Sequence, residues 1–324
     1  MSTSIIPSRY TLIRDLQQDR FLGCNNEGIY LVYDPYIKKL LVQKHIPPDD
    51  VRSGFAAREI EILCQLRGHP NISHLEQYDL NASRCLLQPS ATIWTGFCNN
   101  GSLGDMINSL GGGEELLVRE QFLWHVLRSL VEAVSYCQLG DARDGFEMDA
   151  KWNIIYHRDI QPNNIFLTID AKPNSEFPRV VLGDFGCSTS LRDIPAGKSD
   201  PYLTERLDLN FAPPESPAFS LRSDIYQIGL VMWCLIFAER HPGKRRYDSL
   251  PFDVMENEVY SKELRYIVTA CLGVDLEMRP TVEQLVWSLT VEPEVKRWDW
   301  SGCVSFDVPE LATPVLDYGE AVAC

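Results

Sequence analysis

The 324-residue chain has no C-x-x-C pair, although it carries ten cysteines. Scattered singly, they suit neither a zinc site nor a disulfide frame and read as reduced thiols of an intracellular protein, in cytoplasm and/or nucleus. Long hydrophobic runs are missing too. The longest, Ile228 to Ala238, falls well short of the ~20 residues that span a bilayer, so a buried core helix is expected and no membrane partner. Positive charge is scarce: 30 Lys and Arg stand against 45 Asp and Glu, a net charge of −15. That balance repels phosphate backbones and anionic lipids, which argues against a nucleic-acid partner. The opening MSTSIIPSRY has no charged region leading into an apolar stretch, so no secretory signal is read. No internal repeat is visible. With 45% apolar residues the chain is a folded one, and its length suggests about two units of ~150 residues.

The first hundred residues read as short strands with one helix among them. Ile29–Tyr33, Leu40–Lys44 and Thr92–Phe97 are aliphatic, β-branched and aromatic. RSGFAAREIEILCQLRGHPNI reads as a helix with Phe55, Ile60, Leu63 and Arg67 on one face, stopped by Gly68 and Pro70. Beyond residue 115 the pattern turns helical, and Phe122, Val126, Leu130 and Val134 recur at four-residue steps. NIFLTI and RVVLGD, separated by a Pro173-Asn174 turn, predict a hairpin. Helices follow near Ile228 and over Ser261–Cys271, and the tail after 291 has little periodicity.

The chemistry concentrates in YHRDIQPNN, Tyr156 to Asn164, followed by the DFG of Asp184, Phe185 and Gly186. Two carboxylates and an amide thereby flank a short hairpin. Asp184 and Asn164 offer oxygen ligands of the kind magnesium takes alongside phosphates. Asp159 is then available to orient an attacking hydroxyl and accept its proton. That division of labour suits phosphoryl transfer, which needs positioning and charge neutralisation.

With these motifs in this order, the chain resembles a eukaryotic protein kinase domain from about Tyr10 to about Val291. The resemblance implies an α+β, bilobal fold: a small β-rich N-lobe over 10–97, a larger helical C-lobe over 98–291, a nucleotide cleft between them, and a C-terminal extension over 292–324. It implies ATP and Mg2+ as cofactors and protein substrates as partners. Leu22, Gly23, Asn25 and Gly28 match the Gly-rich loop, with Asn25 replacing its middle glycine; alone, Gly23 and Gly28 also fit a plain hairpin turn. Tyr30 stands where the family has a valine over adenine, and Val42 replaces a smaller alanine. Lys44 matches the phosphate-contacting lysine and Glu59 its helix partner, with Glu61 as the rival. Thr95 corresponds to the gatekeeper, Gly96, Phe97 and Cys98 to the hinge, and Phe166 to the adenine floor. His157 and Arg158 complete the catalytic-loop motif. FAPPE supplies Glu215, matched to Arg279 of MRP, and Asp224 of SDIYQIGLVMW corresponds to a brace for the catalytic loop; an ordinary N-terminal helix acid is its other reading.

Within the superfamily the chain looks most like NIMA-type serine/threonine kinases. It carries an insertion, Leu139 to Asn153, with Asp141, Asp144, Glu147 and Asp149, read as a solvated loop or a partner site. Pro162 resembles the serine/threonine pattern, whereas Gln161 replaces a lysine that reaches the γ-phosphate. Removing that cation is expected to cost a few kcal/mol of transition-state stabilisation. By the same resemblance Asp208 stands where the family often has a threonine near the substrate, and it reads as a phosphate mimic or as a solvated loop acid. Ser199 and Thr204 are the candidate regulatory hydroxyls, because Arg158 beside Asp159 suits control by a phosphate in the activation segment. The reading is an ATP- and Mg-dependent serine/threonine kinase. The alternative, motivated by Asn25, Tyr30, Val42 and Gln161, is a pseudokinase acting as a binding or scaffold module.

Overall fold

The computed structural model describes residues 9–16, 28–81, 89–110, 117–141, 152–170, 176–194, 208–243, 245 and 247–291. Alternating apolar residues in the first third form a five-stranded antiparallel sheet of order β1-β2-β3-β5-β4. Its strands are β1 (Thr11–Asp15), β2 (Gly28–Asp34), β3 (Lys39–Ile46), β4 (Leu75–Asn81) and β5 (Ser90–Gly96). The sequence reading anticipates β2, β3 and β5. It misses β1 and β4, the two edges of the sheet, where TLIRD and LEQYDLN are half exposed and carry little apolar alternation.

Helices α1 (Pro48–Arg52) and α2 (Phe55–Gln65) follow β3. In α2 the buried residues are Ala56, Arg58, Glu59, Ile60, Ile62 and Leu63. Arg67 lies beyond its end and is exposed, so the face runs through Ile62 and Leu66 rather than Arg67. The helix begins at Gly54, whose φ of 86° suits a residue without a side chain.

The remainder is mostly helical. α3 (Leu103–Leu110) precedes α4 (Glu120–Leu139), whose expected stripe Phe122, Val126, Leu130 and Val134 is buried. Each such side chain contributes about 1.5–3 kcal/mol of burial. The expected hairpin is β7 (Ile165–Thr168) paired with β8 (Arg179–Leu182), while its Pro-Asn turn lies outside the described residues. A second small pair joins β6 (Ile155–Tyr156) to β9 (Thr189–Ser190). α5 (Leu221–Phe237) is buried from Ser223 to Ile236 and runs through the helical region as its centre. Around it stand α6 (Ser249–Glu256), α7 (Lys262–Cys271, capped by Ser261) and α8 (Val282–Val291). Among the described residues no helix is long and apolar enough to cross a membrane. The tail after 291 lies outside them.

The base of this region is fastened by Arg279, whose side chain has no solvent exposure. Its guanidinium bonds both Glu215 oxygens at 2.9 and 3.1 Å, and the carbonyls of Gly273 and Arg222 at 3.0 and 2.8 Å. It lies 4.7 Å from the Tyr226 ring centre. Removing one partner of such a pair strands the other, so Arg279→Met should destabilise the fold by about 3–5 kcal/mol. Urea unfolding would measure this, and a loss within ~0.5 kcal/mol of wild type would refute it.

Candidate active site

Three segments meet at one ammonium group. β3 carries Lys44, whose Nζ lies 2.9 Å from Glu59 Oε1 on α2 and 2.9 Å from Asp184 Oδ1 after β8. Of the two acids that α2 offers, Glu59 is buried and paired, and Glu61 is exposed. Burial opposes charge on Lys44, but the Asp184 and Glu59 carboxylates outweigh it and hold the ammonium above its ordinary value. Lys44 in turn holds the Asp184 carboxyl below its usual range, against the effect of burial.

Asp184 adopts a left-handed backbone, φ 57°, and accepts the Gly186 N–H at 3.4 Å. Phe185 turns inward, buried, with its ring 4.6 Å from that of His157. His157 is fully buried, which pushes its imidazole down to about 4 and keeps it neutral. Its Nε2–H donates to the Gly183 carbonyl at 3.1 Å, so Nδ1 accepts the Asp159 N–H at 3.3 Å.

Both Asp159 oxygens are occupied. Oδ1 accepts the Gln161 amide at 2.9 Å and Oδ2 the Asn164 amide at 2.8 Å. Asn164 also donates to the Asp159 carbonyl at 2.9 Å. Burial, aided by the negative charge of Asp184, raises the Asp159 carboxyl to about 7 despite those two donors. A single cleft thus separates its two carboxylates: Asp184 stays ionised and Asp159 titrates near neutrality.

The loop bearing Asp159 is shaped from below. Asp224, in the first turn of α5, has no exposure and accepts the His157 and Arg158 N–H groups at 3.0 and 2.9 Å. Two successive amides aimed at one carboxylate go with the left-handed backbone of Arg158, φ 73°. The buried Arg158 guanidinium lies 5.8 Å from the Phe219 ring centre.

Sheet register sorts the candidate nucleotide-side residues by face. Residues directly paired across antiparallel strands share a face. Leu31 pairs with Val42 and Val42 with Thr95; Ile29 pairs with Lys44 and Lys44 with Ile93. These side chains therefore share the Lys44 face. Tyr30 does not: it pairs with Gln43, on the opposite face, and packs against Tyr10, Val32, Leu41 and Trp94. Its ring folds back over Gly28, where an added Cβ would meet it at 2.5 Å. Tyr30, expected over adenine from the family resemblance, lies on the face opposite Lys44; Ile29 and Leu31 are the β2 residues on the Lys44 face.

Phe166 on β7 is half buried and packs over Gly183, where a Cβ would meet its ring at 2.7 Å. After β5, Gly96, Phe97 and Cys98 are half buried; the Gly96 N–H is bonded to the His74 carbonyl at 3.0 Å, and burial raises the Cys98 thiol to about 11. Ser102 caps α3 reciprocally with Asp105, its hydroxyl donating at 2.8 Å. Leu22, Gly23, Asn25, Ser199, Thr204 and most of the acidic insertion lie outside the described residues. The insertion's return, Trp152, bonds the Cys137 carbonyl at 3.2 Å and packs on Tyr136.

The donor set fits a magnesium ion carried in on phosphates. Among the described residues no three His, Cys, Asp or Glu side chains are grouped to hold a metal by themselves. Magnesium needs only one or two protein oxygens when phosphates and waters complete its shell. The Asp184 side chain keeps 39% exposure, and Asn164 donates its amide nitrogen to the Asp159 carbonyl and carboxylate, so its carbonyl oxygen is the atom suited to a cation.

An ammonium between two carboxylates, a carboxylate raised to about 7 on an H-R-D loop and a D-F-G turn are groups of the kind that phosphoryl transfer needs. A family model for the protein kinase domain matches residues 26–289, and the chain belongs to that family. It is similar to the G2-specific protein kinase nimA of Emericella nidulans, with 27% identity over 249 residues, 70% of this chain and 33% of that protein. It is also similar to the G2-specific protein kinase fin1 of Schizosaccharomyces pombe, 27% identical over 84% of this chain and 38% of fin1. The serine/threonine-protein kinase Nek2 of Homo sapiens is 28% identical over 76% of this chain and 53% of Nek2. The chain thus spans about a third of the two fungal relatives' length and about half of Nek2's.

Burial raises the Asp224 carboxyl to about 7, against the amides of Arg158 and His157. Between about pH 4 and pH 7 the folded chain therefore holds a proton at Asp224 that the unfolded chain has released. This group's contribution to stability consequently falls as pH rises through that window. In Asp224→Asn the slope of unfolding free energy against pH should become more positive by up to ~1.4 kcal/mol per unit. Parallel wild-type and variant slopes in urea titrations would contradict the assignment.

Proposed function

We propose that this chain is an ATP- and magnesium-dependent protein kinase that transfers the γ-phosphate to serine or threonine hydroxyls of protein substrates. The observation that carries the reading is Lys44, 2.9 Å from both Glu59 and Asp184, the arrangement that places an α/β-phosphate ligand and a metal ligand together. Residues 10–97 form the small lobe, 98–291 the large lobe, and 292–324 an extension. Adenine enters between the Leu31, Val42 and Thr95 face and Phe166, against the backbone of Phe97 and Cys98. Leu22, Gly23, Asn25 and Gly28 cover the phosphates.

Asp184 and Asn164 would hold magnesium, which when bound would supply positive charge to the transferring phosphates. The acceptor hydroxyl oxygen attacks the γ-phosphorus. Its proton passes to the Asp159 carboxylate, the bond to the β-phosphate oxygen breaks, and ADP leaves. Gln161 keeps Asp159 aimed through its 2.9 Å bond but brings no cation to the transferring phosphoryl. Pro162 supports serine/threonine over tyrosine acceptors, as do the names of the relatives. Ser199 and Thr204 serve as regulatory phosphosites read by Arg158, and the enzyme acts inside the cell.

The scaffold alternative draws on Asn25, Tyr30, Val42 and Gln161. It loses Tyr30, which packs on the far face of the sheet. Transfer of labelled γ-phosphate from Mg-ATP to casein and to the chain itself separates the readings. Asp159→Ala should lower the rate by about 10²–10⁴-fold, the contribution of a positioned base. Absence of transfer by wild type across several divalent metals would move the weight to the scaffold.

Two further outcomes are expected. Because Asp159 must be ionised and its carboxyl is raised to about 7, turnover should climb between about pH 6 and pH 8; a flat profile would remove Asp159 as base. Gln161→Lys restores a cation and should raise turnover by about tenfold or more at unchanged folding stability, read in the same assay.

A further inference from the structure

Gln227 lies one helical turn beyond Asp224 on α5, on the same face, and is 1% exposed. Its side-chain oxygen accepts the Ile160 N–H at 3.0 Å. Its nitrogen donates to the Arg158 carbonyl at 2.9 Å and to the Phe211 carbonyl at 3.0 Å. These partners fix the amide's orientation, since the two carbonyls require hydrogens and the N–H requires an oxygen. An apolar side chain here would leave three buried backbone groups unmatched.

The partners belong to two different segments. Arg158 and Ile160 flank Asp159 on either side. Phe211 closes the short turn Leu209–Phe211, which Asp208 caps by accepting the Asn210 N–H at 2.9 Å and which leads into the Glu215 anchor. On the solvent side of the same segments, Gln161 bonds Asp159 and Asp208 bonds Asn210, each within its own segment. The link between them runs underneath, through a buried amide.

We infer that Gln227 is a positioning residue that locks the loop carrying Asp159 to the 208–211 turn, keeping the base in register with the segment that presents the protein acceptor. The acceptor half of this statement rests on the kinase reading above. The mechanical half does not. α5 is rigid and buried, so a side chain that grips both segments transmits the position of one to the other.

Two variants test the lock by hydrogen exchange and kinetics. Gln227→Met keeps the volume and removes all three bonds. Gln227→Asn keeps the polar groups but is one methylene too short to reach both segments, and it serves if the methionine variant fails to fold. Exchange should accelerate roughly tenfold in peptides covering 157–161 and 208–212 together, with 276–280 around Arg279 unchanged. In transfer assays with casein, KM for casein should rise and kcat fall by up to about 10²-fold, while KM for Mg-ATP stays at the wild-type value.

Acceleration confined to one segment, or spread evenly through α5 and its neighbours, would overturn the inference. So would unchanged casein kinetics in a folded variant of an active enzyme. If wild type transfers no phosphate, the exchange result still decides the mechanical lock, and the kinase reading alone falls.

Discussion

Polar groups buried in a helix that has no exposed face must find partners, and in this protein they find them in the backbone of the H-R-D loop. α5 runs through the core with Asp224 and Gln227 almost without solvent contact. A buried carboxylate or amide left unmatched costs more than a typical hydrogen bond contributes. The loop His157–Ile160 satisfies them with three N–H groups and one carbonyl, and takes on a left-handed Arg158 in doing so. The apolar sequence of α5 and the shape of the loop are therefore one constraint. Asp159 is held at a defined place because its neighbours on both sides are bonded to the most buried element of the fold.

Electrostatics then divides the work among acids that differ little in chemistry. Asp184 faces an ammonium and stays ionised; Asp159 is buried beside a negative charge, and its carboxyl rises to about 7 despite two amide donors. The difference arises from Lys44, whose charge is itself kept in place by two carboxylates against the pull of burial. Glu59 matters through this chain of effects, since α2 must pack against the sheet for its carboxylate to reach Lys44 at all. The cleft therefore reports whether the helix, the sheet and the D-F-G turn are assembled together.

Much of the site was legible because phosphoryl transfer needs particular groups at short separations along the chain. H-R-D with Asn164 five residues beyond Asp159, and D-F-G after a hairpin, are local patterns; the structure joins Asn164 to Asp159 by hydrogen bonds and Asp184 to Lys44. The long stripe of α4 was readable for the same reason: a helix buries a periodic face that a sequence window contains. Edge strands β1 and β4 were not, since a strand exposed on much of its surface has no apolar alternation to read. Arg67 failed as a face residue because the helix ends at Gln65.

Tyr30 and Gln227 mark where sequence reasoning stops. A one-residue change in strand register moves a side chain to the other face of a sheet, and register depends on the hairpin and on what β2 and β3 pack against. The family resemblance implies that Tyr30 covers the nucleotide; pairing with Gln43 puts it on the face opposite Lys44. Gln227 lies in an unremarkable stretch of an apolar helix, and its three partners come from residues 16 to 69 positions away. The chemical groups and most of the elements that carry them were readable in advance, Glu59 as the partner of Lys44 among them, because they are written in short-range patterns. Which face each strand presents, and which buried amide ties the H-R-D loop to the segment beyond it, depend on contacts between residues far apart in the chain and emerge only on folding.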